Sequence, residues 1–98
     1  VVSSSIAYEN FSMRKEPIED AIAIFGTQVR NTRMELGMTQ EELAYEVELS
    51  PNYIGYIERA ERQPGIYQII AISFALGVSP SVLFNDVSVP DDLKRSPE

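Results

Sequence analysis

An all-α domain is what this sequence predicts, on three observations. Apolar residues from Ile18 to Leu36 recur at helical spacing, and Thr39 with Glu42 and Ser50 with Pro51 read as helix starts. No stretch alternates apolar and polar residues as a half-buried strand would. A chain of 98 residues is long enough for one small core and too short for two.

Residues 1–16 hold a Ser cluster and no sustained period, and read as a flexible N-terminal arm that Ile6, Tyr8 or Phe11 is able to pin. The domain proper is expected over 17–86. In its first helix Ile18, Ile22, Phe25, Val29 and Leu36 share one face. Pro17 suits the first turn, Glu19 and Asp20 lie near the positive end of the helix dipole, and Gly37 is placed to stop the helix. Thr39 is expected to cap a second helix, QEELAYEV, with Glu42 completing a capping box and Leu43, Ala44 and Val47 buried. Ser50 caps a third, over 51–60, with Pro51 at its first position and Ile54 and Ile57 inward. A fourth runs from Ile66 to Leu76, ends at Gly77 and turns Ile69, Ile72 and Leu76 to the core. Ser79 and Pro80 open a fifth that carries Val82, Leu83 and Phe84. Residues 87–98, with two prolines and a run of charge, read as a C-terminal tail.

Composition excludes much chemistry. The chain has no cysteine and no histidine, which removes disulfides, thiol nucleophiles, imidazole bases and almost every zinc site. No catalytic residue, metal site or cofactor is expected, and each Glu has a simpler helical role. No apolar run is long enough to span a bilayer, so no membrane partner is expected, and the lack of cysteine fits a cytoplasmic location. The formal charge is −7, and no third of the chain carries a basic excess. A nucleic-acid face therefore has to be built locally from Arg30, Arg33, Arg59 and Arg62.

The region 39–60 has the form of a helix-turn-helix, two short helices joined by a tight turn. Leu43, Ala44, Val47, Leu49, Ile54 and Ile57 are apolar or small where the two helices must cross. Ala44 matters most, because a larger side chain there would push them apart.

The stretches FGTQVRNTR (25–33), LGMTQEELA (36–44), LSPNYIGYIERAERQP (49–64) and ALGVSPSVLF (75–84) resemble the lambda-repressor/Cro-type regulators, the xenobiotic-response-element group. They lie within residues 25–84, about three fifths of the chain, and NYIGYIERAERQP is similar to the controller proteins of restriction–modification systems. The resemblance implies a five-helix, lambda-repressor-like DNA-binding domain that acts as a homodimer on double-stranded DNA. It places the helix from Pro51 in the major groove, where Pro51, Asn52, Tyr53, Gly55 and Tyr56 form the reading face. Asn52 is suited to pair bidentately with adenine, and Tyr56 to meet a phosphate, a base edge or a thymine methyl. Gln40 would bond a phosphate, and Arg62 and Arg30 would supply charge to the backbone. Arg33 and Glu58 would form a structural ion pair between the first and third helices. Arg59 is expected to be solvated or paired within the domain.

The chain also departs from the family pattern. Glu48 and Ala60 stand where Gly is common, and a left-handed backbone at such a residue costs about 1–2 kcal/mol. Pro51, Gly55, Tyr56 and Glu61 leave the face short of donors, so the salt dependence of binding should be shallow. Tyr67, Ile70 and Phe74 make an extra apolar stripe on the fourth helix, which calls for a cover. A second copy is the favoured cover; the N-terminal arm and a different protein are the others. The function expected first is a sequence-specific DNA-binding transcription regulator. The alternative is a helix-turn-helix module serving mainly as a protein-interaction element, antitoxin-like or anti-repressor.

Overall fold

The structure, a computed structural model, describes residues 15–95. Ile6, Tyr8, Phe11 and most of the arm expected over 1–16 lie outside the described residues, while Lys15 and Glu16 form the first turn of a helix. Five helices follow in order: α1 (Lys15–Glu35), α2 (Gln40–Val47), α3 (Pro51–Glu58), α4 (Ile66–Ala75) and α5 (Pro80–Leu83). A 3-10 turn at Asp91–Leu93 comes after them, and no strand occurs among the described residues.

The helix boundaries follow local chemistry. Gly37 ends α1 with a φ of 68°. Thr39 Oγ1 accepts from the Glu42 N–H at 3.0 Å while Glu42 Oε1 accepts from the Thr39 N–H at 2.8 Å, so the capping box is complete. Ser50 Oγ accepts from the Tyr53 N–H at 3.1 Å, and Pro51 fills the first helical position, where no N–H is needed. At the start of α4 the Gln68 side chain accepts from the Gly65 N–H at 3.0 Å.

The third helix is two residues shorter than expected. It ends at Glu58 because Ala60 adopts a φ of 61°, which turns the chain so that the N–H groups of Glu61 and Arg62 both reach the Tyr56 carbonyl, at 2.7 and 3.3 Å. Glu48, in the turn between α2 and α3, is likewise left-handed, with a φ of 59°. Both positions are glycine-like conformations held by residues with a Cβ.

Phe25, Val29, Leu43, Ala44, Ile54, Ile57, Ile72, Leu76 and Leu83 form one buried core, with Phe84 stacked on Phe25 at a centroid distance of 4.8 Å. Three expected members of the α1 face fall outside it: Ile18 and Leu36 are each more than half exposed, and Ile22 is half-buried. The 21-residue helix overhangs a core built by much shorter partners, so only its middle is covered. Ile18 and Ile22 instead line an apolar cleft of about 420 Å³, shared with Val87, Val89 and Leu93. Val47 and Ile69 pack against the core from its edge.

At Gly26 the backbones of α1 and α3 approach closely. A Cβ built on Gly26 would collide with the carbonyl oxygen of Ile57 and lie 2.7 Å from that of Glu58. Only glycine lets the two backbones approach this closely, and that contact fixes where α3 lies.

Candidate nucleic-acid interface

The helix-turn-helix is held from behind by one buried ion pair. Arg33 follows Val29 by four residues on the inner face of α1, and its guanidinium reaches Glu58 at the end of α3: Nε donates to Oε2 at 2.6 Å and Nη2 to Oε1 at 3.0 Å. Arg33 Nη1 donates to the Met38 carbonyl at 2.8 Å, tying the α1–α2 turn into the same network. The hydrogen bond to Glu58 holds the guanidinium above its usual pKa, against the opposing effect of burial. Every buried polar side-chain atom among the described residues has a partner.

Gln40 joins this network. Its Nε2 donates to Glu58 Oε1 at 3.0 Å, so the first residue of α2 is braced against the last residue of α3. The side chain expected to meet a phosphate is thus engaged internally in the free chain. Gln40 helps to line a hollow shared with Thr27, Arg30, Glu58 and Arg59.

Pro51 and Asn52, at the first turn of α3, are exposed. Gly55, expected on the reading face, is buried: a Cβ there would lie 3.0 Å from Arg59 Nη1 and 3.6 Å from Gln40 Nε2, so two other side chains cover it. Tyr56 is half-buried between two arginines, with the Cζ atoms of Arg59 and Arg62 each 5.6 Å from its ring centroid, within cation–π range. Tyr53 lies elsewhere. It packs against the core, and its hydroxyl reaches Gln68 Oε1 in a long 3.5 Å contact. Asn52, Tyr56, Arg62, Gln40 and Arg30 therefore remain as polar groups at or near the surface around α3, while Gly55 contributes space and Tyr53 faces α4.

One member of this surface carries more contacts than the sequence suggested. Arg59, expected to be solvated or paired, folds back over Gly55 and Tyr56 and pairs with Glu61, Nε to Oε2 at 3.2 Å and Nη2 to Oε1 at 3.3 Å. Two sequence features were available to suggest this: the two-residue spacing of Arg59 and Glu61 past the helix end, and a glycine one turn before Arg59.

On α4, Tyr67, Ile70 and Phe74 are exposed, at 84%, 39% and 70%. Ser73 between them points inward and donates to the Ile69 and Ile70 carbonyls. No helix among the described residues is long and apolar enough to cross a membrane. No group of three or more metal-ligating side chains occurs among them either.

Comparison with known proteins gives this geometry its place. The chain is 40% identical over 67 residues to control protein C.BamHI of Bacillus amyloliquefaciens, covering 67% of this chain and 83% of that protein. In structure it is similar to the restriction–modification controller protein C.AhdI of Aeromonas hydrophila, with a TM-score of 0.63 and 33% identity over 64% of this chain and 96% of that one. It is also similar to the P22 c2 repressor protein, solved in complex with synthetic operator 9T, with a TM-score of 0.59 and 33% identity over 61% and 91% of the two chains. The pattern of the helix-turn-helix family matches residues 29–83, and the chain belongs to that family.

Proposed function

We propose that the chain is a sequence-specific DNA-binding transcription regulator that works as a homodimer on a two-fold operator, with α3 in the major groove. The observation that carries this reading is the α2–α3 pair itself. Its helices cross over a fully packed Ala44, its turn is complete, and the exposed first turn of α3 presents Pro51 and Asn52 outward. Asn52 reads an adenine edge, and Tyr56 and Arg62 approach the adjoining bases or backbone. Gln40 and Arg30 hold a phosphate beside the α2 N-terminus. Tyr53 supports α3 from the α4 side. A second copy covers Tyr67, Ile70 and Phe74, and doubling the half-site contacts raises a modest affinity to a usable one.

Selection from a random duplex pool, at low and at physiological salt and with protein of measured oligomeric state, tests the reading. A two-fold site should be recovered, and Asn52→Ala should weaken binding to it by about 1–3 kcal/mol per half-site with relaxed preference at one base pair. No enrichment at low salt overturns the proposal and leaves the α4 stripe as the surface on which to seek a protein partner.

A further inference from the structure

Arg59 lies just past the end of α3, and its exposed side chain turns back along the helix. The missing side chain at Gly55 makes this path available, since a Cβ there would sit only 3.0 Å from Arg59 Nη1. The guanidinium lies near the Tyr56 ring and helps to line the hollow it shares with Thr27, Arg30, Gln40 and Glu58. Three of these five residues, Arg30, Gln40 and Arg59, carry strong nitrogen donors. Their position beside α3 and the α2 N-terminus suits a phosphodiester of bound DNA.

Glu61 stands against that use. Its carboxylate takes two of the Arg59 N–H groups, and both side chains are more than half exposed. The pair has no net charge, so a phosphate approaching Arg59 meets a carboxylate beside the cation it needs. Buried carboxylate chemistry is not involved, because Glu58 is already occupied by Arg33 and Gln40. An exposed ion pair of this kind is weak in water and exchangeable.

We propose that Glu61 limits DNA affinity by keeping Arg59 paired, and that Arg59 is a latent phosphate-binding residue, free to neutralise a phosphate once the Glu61 charge is removed. This rests on the DNA-regulator reading above and goes beyond it by assigning opposed roles to these two side chains. The Glu61 N–H bond to the Tyr56 carbonyl, 2.7 Å long, belongs to the backbone and survives replacement of the side chain. Glu61→Gln therefore removes the charge and keeps the turn.

The test measures affinity against salt for the full chain, Glu61→Gln, Arg59→Gln and the double variant, on the duplex recovered by selection. Glu61→Gln should bind more tightly, melt at the wild-type temperature and show a salt slope steeper by roughly 0.9 per subunit. Its advantage should grow roughly three- to fourfold per subunit as salt falls from about 200 to about 50 mM. In the Arg59→Gln background the same change should give little gain. An unchanged slope in Glu61→Gln overturns the inference, as does an equal gain with Arg59 absent, which would make Glu61 a general repulsive charge. If neither the wild type nor any variant binds a duplex, the DNA-regulator reading falls and this inference with it. A wild type that binds, with Glu61→Gln no different, overturns the inference alone.

Discussion

Glu58 and Arg59 are neighbours in the chain, and each is half of an Arg–Glu pair, yet the pairs differ in almost every physical respect. The Arg33–Glu58 side chains are 10% and 2% exposed and are joined by two bonds, with Gln40 and the Met38 carbonyl taking up further valences. The Arg59–Glu61 side chains are 56% and 52% exposed and sit beside open solvent. In the first pair both charges have lost water and depend on one another. In the second, water competes for every bond. One residue of chain separates a contact that holds the fold from a contact that is free to be exchanged.

The largest effect should come from splitting the buried pair. Glu58→Ala leaves the Arg33 guanidinium stranded, with an expected cost of about 3–5 kcal/mol. At about 4–8 °C per kcal/mol for a domain of this size, thermal melting should fall by more than 10 °C. Retention of the wild-type midpoint would mean that water reaches Arg33 and that the two pairs are alike after all. Next in size is Gly26→Ala, which forces α1 from the carbonyls of Ile57 and Glu58 and should cost about 1–3 kcal/mol. Binding to the selected duplex should fall with it, because α3 is displaced along with the buried pair. Smallest, and of opposite sign, is Glu48→Gly. It relieves a left-handed residue at a φ of 59° and should raise stability by up to about 1 kcal/mol after the extra chain entropy of glycine is counted. A midpoint that falls in urea would show that the Glu48 side chain contributes more than its backbone costs.

The caps were the most legible part of the sequence. Thr39 with Glu42, Ser50 with Pro51, and Gly37 act through local bonds, so spacing alone is enough to place them. The left-handed turns at Glu48 and Ala60 were legible because the family resemblance marks both as glycine positions. Periodicity gave the direction of the α1 face but not its extent. Ile18 and Leu36 keep the period, and whether they are covered depends on how long the opposing helices are. Gly26 carried no local signal, since its role exists only where α3 crosses it. The same holds for Gly55, whose importance lies in the side chains of Arg59 and Gln40 that cross its empty position. The long-range bond from Gln40 to Glu58 spans 18 residues and could not be read from either end of it.

The acid excess has a consequence in time as well as in affinity. Non-specific attachment to DNA is almost wholly electrostatic, and a chain with a formal charge of −7 and a handful of arginines at one surface has little with which to linger on arbitrary sequence. Its search for an operator would consist of brief encounters and free diffusion rather than long sliding along the duplex. Few molecules would be held away from the target by the rest of the genome, so a modest operator affinity can still give high occupancy at low copy number.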